Sequence, residues 1–381
     1  MEQAKKLLFD ILSIKSVNHC DDEGKVAEYL FNYFKEAGAE GKVHRIDETH
    51  ANFQVFIPGR SHERHMLWNG HMDTVPYGNL EEWHTDPADP VEKDGKIYGR
   101  GACDMKGGLC AMAYTLVNII KSGRCPAYDI TFVGTCDEES TSIGVKTFAA
   151  SDAFPKVSEV LIGEPTGLNI GIAQKGCLWL EIDIFGKASH GSYPEKGVNA
   201  IEYGMKIATE LKKRITEGYH ELLGYATAQV TKISGGETVN VTPDKCTISM
   251  DIRFVPGQDE KVILNWLSDI SEKYIKETNG ELRIEKRILN SRVAVNTDSE
   301  DNFTLGLKHV IEAHGVQTGN IGINFYTDGS AMVVKHPELK ILLFGPGEPD
   351  MCHKVNECIE LKQYEKAIEI LTAYALGETD E

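Results

Sequence analysis

The chain reads as an α/β protein: a mostly parallel mixed sheet flanked by helices, interrupted by a smaller α+β unit of four strands and two helices. Three observations predict this. Short apolar runs alternate with helical patterns at both ends of the chain, which is the signature of strands joined by crossover helices. The texture changes near Gly176 and changes back near residue 290. The length of 381 residues also exceeds the roughly 250–300 at which one core usually stops growing.

The elements follow in order. Leu7, Leu8, Ile11 and Leu12 share one face of a first helix. Val26, Tyr29, Leu30, Tyr33 and Phe34 mark a second within Gly24 to Ala37, with Gly38 suited to its stop. Lys42 to Asp47 and Asn52 to Ile57 read as strands, and Pro58-Gly59 as a turn. After Lys106, Leu109, Met112, Ala113, Leu116 and Ile120 define a helix; strands at Ile130 to Gly134 and Val160 to Ile162 enclose another. The inserted unit reads as strands at Cys177 to Phe185, Ala228 to Ile233, Cys246 to Phe254 and Leu282 to Ile288, with helices at Asn199 to Ile215 and Lys261 to Lys276. The first pattern returns at Ile321 to Phe325, Ile341 to Phe344 and Leu361 to Leu376. The predicted division is residues 1–174 plus 290–381 for the larger domain and 175–289 for the insertion.

Hydrophobic residues at 41% and charged residues at 26% describe an ordinary globular composition. The formal charge of −18 offers no basic stripe for phosphates, which argues against nucleic acid as a partner. No apolar run approaches the ~20 residues of a membrane span, and Asp10 interrupts any signal-like core, so a cytoplasmic protein is expected. The nine cysteines form no CxxC pair and are expected as reduced thiols. Cys103, Cys136 and Cys352, beside the candidate site residues, read as small buried apolar side chains.

The chemistry starts in Leu67 to Leu109, where His71, Asp73 and Asp104 stand beside glycine-rich turns after short apolar runs. Side chains of these types at strand ends can hold a metal. The strand DITFVGT runs into Cys136-Asp137-Glu138-Glu139-Ser140. Adjacent residues of an extended segment point opposite ways, so one glutamate can face a metal and its neighbour a water; an acidic turn capping the next helix would look the same. VLIGEPT places Glu164 just past another strand, and ILLFGPGEPDMCHKVNE brings His353 after a third. Two histidines and four or five carboxylates at strand ends match nitrogen and oxygen ligation of zinc or a similar divalent ion. That number exceeds what one catalytic zinc needs and points to two metals roughly 3.5–4 Å apart with a bridging carboxylate.

The motifs NGHMDTVP, YGRGACDMKGG, CDEES, IGEPT, GKASHGSYPEKGVNAI, NVTPDKCTISMDIRF and GPGEPDMCHKVNE resemble, in order and over nearly the whole chain, the dinuclear zinc amidohydrolase and peptidase superfamily. Its members include acetylornithine deacetylase, succinyl-diaminopimelate desuccinylase, aminoacylase and glutamate carboxypeptidase. The resemblance implies two divalent metals, zinc by preference with cobalt or manganese possible. It assigns His71 and Glu164 to one, Glu139 and His353 to the other, and Asp104 to the bridge. It makes Asp73 the residue that orients His71, and Glu138 the general base that takes a proton from activated water and delivers it to the leaving amine. His190, in ASHGS, corresponds to a histidine that reaches the neighbouring subunit's site and steadies the oxyanion, so a homodimer formed through the inserted domain is implied.

Arg253, in DIRF, corresponds to a clamp for a substrate carboxylate, against the alternative of a strand residue paired on the sheet surface. Asn240 and Tyr193 are further substrate-binding candidates. Lys175 can bind an anionic group or stand simply as an exposed lysine, the second being preferred. Met72 and Cys103 depart mildly from the family's usual residues and remove no ligand. The glutamate of GEP resembles the deacylase and carboxypeptidase branches, and HKVNEC the desuccinylase, whereas Tyr326-Thr327-Asp328-Gly329-Ser330 does not reproduce the desuccinylase form.

The expected activity is therefore hydrolysis of an N-acyl amino acid, or a similar small peptide-like amide with a free carboxylate, by a two-metal deacylase. A dipeptidase or carboxypeptidase is the alternative, and a non-catalytic homologue that only binds metal or ligand is the rival from another class.

Overall fold

The computed structural model describes residues 1–378. The chain divides into two compact units. The first comprises Met1–Ile172, Asn296–Ile321 and the stretch that starts at Thr327; the second comprises Ala173–Val295 and Gly322–Tyr326.

The first unit is built on a nine-stranded mixed sheet. Its centre is parallel: Ser61–His71 lies between Tyr128–Thr135 and Glu159–Ile162, and Lys340–Leu343 lies on the far side of Glu159–Ile162. Both faces are covered where these strands run side by side: Ser61–His71 starts polar and exposed but is buried from Met66 to His71, and all eight residues of Tyr128–Thr135 are buried. Antiparallel strands flank the centre, with the hairpin Gly41–Arg45 and Ala51–Ile57 on one side and Ile170–Gln174 on the other. The predicted α/β class is thus borne out, with its parallel part confined to the middle of the sheet.

Register decides where the site forms. His71 pairs with Thr135, Asn69 with Ile162, and Ile162 with Leu343, so the carboxyl ends of the parallel strands lie level. Ligands gather at that end of such a sheet. Over it sits the helix Lys106–Lys121, which packs on Glu2–Ser13 and Leu361–Leu376. The approach is close: a Cβ on Gly108 would lie 1.7 Å from the carbonyl oxygen of Gly163. Only glycine at that position lets the Asp104 loop and the Glu164 segment lie side by side.

The second unit is an antiparallel sheet in the order Thr227–Gly235, Lys245–Phe254, Gly176–Phe185, Arg283–Arg292. Two amphipathic helices, Ala200–Ile215 and Glu260–Glu277, complete its core with Ile248, Met250, Ile252 and Phe254. Period-two alternation sends Asp251 and Arg253 to the opposite face. Among the described residues no helix is long and apolar enough to cross a membrane.

Candidate active site

All seven metal-site candidates fall at the carboxyl end of the parallel strands in the first unit. His71 ends its strand, and its Nδ1 lies 3.1 Å from the main-chain oxygen of Asp73. A carbonyl can only accept, so Nδ1 carries the proton and Nε2 faces the site. That Nε2 lies 3.2 Å from Oδ1 of Asp104, and Nε2 of His353 lies 3.3 Å from Oδ2 of the same carboxylate. Each oxygen of Asp104 therefore faces a different histidine, the arrangement a bridging carboxylate needs. Nε2 of His353 also lies 2.9 Å from Oε1 of Glu139. Ligand atoms of His71, Asp104 and Glu139 lie within 4.8 Å of one another.

Glu138 and Glu139 sit in a tight turn rather than on an extended segment. Asp137 has φ of 59°, a conformation that aspartate tolerates better than most residues. The turn is held by the Asp73 carboxylate, which accepts hydrogen bonds from the N–H of Glu138 and of Glu139, both at 3.1 Å, and from Asn18 Nδ2 at 2.9 Å. The Asp73 carboxylate is 3.6 Å from His71 Nδ1, so in this structure its firm bonds go to the glutamate turn, and its main-chain oxygen is what orients the histidine. Glu23, fully buried, receives the N–H of Asp137 at 2.7 Å and the same Asn18 amide at 3.0 Å.

The electrostatics are those of an anionic pocket short of cations. His71, Asp73, Asp104, Glu138 and Glu164 are each at most 7% exposed. Burial, reinforced by neighbouring carboxylates and opposed by His71, pushes Glu138 and Glu164 well above the ordinary carboxylate range. Burial and Asp104 together raise Glu139 to about 7. Asp104 goes the other way, because hydrogen bonds from His353 and His71 outweigh its burial. Hydrogen bonds to Asp104 and Glu139 raise His353 to about 10. His71 is also raised, its burial being outweighed by Asp104, Asp73 and Glu164.

Buried polar atoms test the fit to a divalent cation. Oε1 of Glu138 and Oε2 of Glu164 are buried with no hydrogen-bond partner, and an orphaned carboxylate oxygen is costly unless a cation or bound water completes it. Hard oxygen donors and two imidazoles suit zinc or a similar ion. The residues present fit the group.

Other candidates lie in the second unit. His190, exposed, forms an isolated bridge with Val241, and its Nδ1 accepts the N–H of Ser192 at 3.1 Å. Gly191 N–H donates to the oxygen of Asn240 at 2.8 Å, and the Tyr193 ring lies 6.0 Å from His190. The backbone thus assembles His190, Tyr193 and Asn240 into one exposed cluster. Arg253 donates to both oxygens of Asp251, at 2.8 and 3.2 Å, with Tyr326 5.8 Å from its guanidinium.

The expectation of an exposed Lys175 is overturned. It is 6% exposed, and its Nζ donates to the carbonyl of Tyr225 at 2.7 Å. The nine cysteines are free thiols; Cys103 and Cys136 are buried as expected, whereas Cys352, also expected to be buried, is half-buried beside the exposed His353. Sequence reading passed over Asn18 and Glu23, and it noted Asp328 only as part of an unusual loop. Asp328 is 2% exposed, receives Thr135 Oγ1, and is raised by burial to about 6.

Fold and donor set define an α/β metallohydrolase. Its family is given by comparison: residues 67–377 match peptidase family M20/M25/M40, and the chain belongs to that family. It is 29% identical over 395 residues to a probable succinyl-diaminopimelate desuccinylase of Staphylococcus aureus, covering 96% of this chain and 95% of that one. Its structure is similar to that of an M20 family metallo-carboxypeptidase from Sulfolobus solfataricus, with a TM-score of 0.79, 18% identity, and 98% and 99% of the two chains covered. It is also similar to a dinuclear metal binding peptidase of the family from Bacillus subtilis, with a TM-score of 0.76, 14% identity, and 100% and 98% covered. At these identities the structural likeness is one of fold.

Proposed function

We propose that the protein is a cytoplasmic two-metal deacylase that releases an acyl group from a small N-acyl amino acid. The observation that carries the proposal is Asp104, whose two oxygens face two different histidines, with a second carboxylate set around them. His71 and Glu164 would hold one metal and Glu139 and His353 the other, with Asp104 shared between them; such a pair would supply Lewis-acid polarisation of the scissile carbonyl and of water.

The chain's own groups do the rest. Glu138 takes the proton of the attacking water on its free oxygen and delivers it to the amide nitrogen as the C–N bond breaks, giving a carboxylic acid and a free amine. Asp73 keeps Glu138 and Glu139 in their turn through the two N–H bonds described above. His190, supplied by a second subunit, donates to the developing oxyanion, with Asn240 and Tyr193 beside it. Arg253 takes the substrate carboxylate as a bidentate fork. The desuccinylase relative, aligned over 96% of the chain, supports deacylation over peptide cleavage, and the glutamate at position 164 supports a deacylase or carboxypeptidase over an aminopeptidase or dipeptidase.

The test is a panel of N-acetyl and N-succinyl amino acids beside free di- and tripeptides, assayed with zinc or cobalt and with metal content measured. Hydrolysis of acylated amino acids is expected. Turnover of free peptides alone would replace the deacylase with a peptidase of the same family, and metal binding with no turnover on any member would leave a binding protein.

A further inference from the structure

Close to Asp104 and His353 lies a buried ion pair that the reaction itself does not use. Arg100 Nη1 and Glu357 Oε2 are 2.7 Å apart, and the two side chains are 3% and 0% exposed. The other oxygen of Glu357 accepts the N–H of Cys103 at 2.8 Å and of Asp104 at 3.0 Å. The same Arg100 nitrogen donates to the carbonyl of Lys354 at 3.1 Å, one residue past His353. Nη2 donates to the carbonyls of Pro76, at 3.1 Å, and Tyr77, in the loop that follows Asp73. Trp83 covers the guanidinium at 5.2 Å and donates its indole N–H to Tyr77.

Stability alone does not account for such a pair. Apolar residues of similar volume often replace a buried ion pair with no loss, because desolvation cancels much of the attraction. What apolar residues cannot do is hold two consecutive N–H groups and three carbonyls at set directions. Apart from the ion pair itself, the polar arms described end on backbone at Asp104 (residues 103 and 104), beside His353 (residue 354) and in the loop after the orienting Asp73 (residues 76 and 77).

We propose that Arg100 and Glu357 are a positioning pair: they fix the separation of Asp104 from His353 and thereby set the affinity of the metal held by Glu139 and His353. Neither residue touches substrate. The inference rests on the two-metal reading above and adds to it the element that spaces the ligands.

The experiment compares the wild-type protein with Glu357→Gln, Arg100→Lys and the double variant Arg100→Met/Glu357→Leu. Zinc affinity is measured by chelator competition, the cobalt-substituted absorption spectrum is recorded, and thermal stability is followed without metal. Residues that orient metal ligands typically contribute about 10–100-fold to affinity, and a loss of that size is expected for one of the two metals in each single variant, with an altered cobalt spectrum. The double variant should recover metal-free stability but keep the weakened affinity, which a merely structural pair would not do. Should a single variant fail to fold, the double variant decides. Wild-type affinity and spectrum in the double variant would overturn the inference while leaving the two-metal reading intact. A wild-type protein that takes up no divalent metal would overturn both.

Discussion

The two units carry their candidate residues in opposite ways. In the first, five charged groups at most 7% exposed share one pocket, where hydrogen bonds tie His71 to Asp104 and Asp73 to the Glu138–Glu139 turn. In the second, Tyr193 is 52% exposed and His190 and Asn240 are exposed with it, although backbone hydrogen bonds hold them together. Burying like charges is expensive, so a buried carboxylate cluster is a site whose occupant, a cation, is implied by its own chemistry. An exposed polar cluster implies nothing until a second surface meets it. The first unit therefore carries a buried donor set suited to a cation within one chain, whereas the second presents its groups on an exposed surface.

The largest effect expected from breaking this contrast lies in the buried pocket. Glu138→Ala should reduce kcat by about 10²–10⁴-fold, the usual contribution of a general base, while elemental analysis finds both metals still bound. Preserved turnover would remove Glu138 from the mechanism. Next in size is the exposed cluster: His190→Ala should cost about 10²–10³-fold, as for loss of one oxyanion donor. If His190 serves another subunit, mixing this variant with Glu138→Ala should restore measurable turnover, because each mixed dimer then contains one complete site. No restoration after subunit exchange would place His190 in its own subunit's chemistry or outside it.

The buried pocket was also the more legible of the two in sequence. Glu164 directly follows an apolar run, and His71 and the Asp137–Glu139 turn follow mostly apolar strands; runs of that kind end at the carboxyl edge of a parallel sheet. The resemblance then supplied their division between two metals. The hydrogen bonds that hold them were not legible, since they join distant positions: Asn18 reaches Asp73 across 55 residues, and Arg100 reaches Glu357 across 257. The strands Val91–Lys93, Lys96–Tyr98 and Cys358–Glu360 are too short to show a period. The helix Asn302–Ala313, by contrast, was passed over although its pattern is readable. It has an Asp301 cap and apolar residues at Phe303, Leu307, Val310 and Ile311, the spacing of a buried helical face. Lys175 looked exposed because a lysine usually is, and only the carbonyl of Tyr225 explains its burial.

A smaller effect follows from titration. In the metal-free protein Glu139 is raised to about 7 by burial and Asp104, and Glu23 to about 9 by burial and Asp73. An acid whose folded pKa is raised contributes stability that is complete below its unfolded value and lost as pH rises through the folded one. His353, raised to about 10, has the same sign, with its contribution complete below the ordinary histidine value. Asp104 is lowered, so its contribution is lost only in acid. The melting temperature of chelator-treated protein should accordingly fall from about pH 5 to about pH 9. Metal binding needs the deprotonated carboxylates and free imidazole nitrogens, so added zinc should raise the melting temperature most at the alkaline end. A flat metal-free profile would mean that the pocket's carboxylates are relaxed by solvent.

The smallest effect concerns Arg253, where the second unit is closest to presenting a built site. Its guanidinium already satisfies both oxygens of Asp251, so a substrate carboxylate gains only the difference between two pairings. Hydrogen bonds to charged groups contribute about 1.5–3 kcal/mol, and after that competition roughly a tenfold rise in KM is expected for Arg253→Ala, with kcat little changed. Asp251→Asn separates the two roles open to this arginine. If Arg253 is a carboxylate clamp, weakening its resident partner frees it and lowers KM. If the pair is only a partly exposed ion pair on the sheet face, its removal changes stability by about 0–1 kcal/mol and leaves KM where it was.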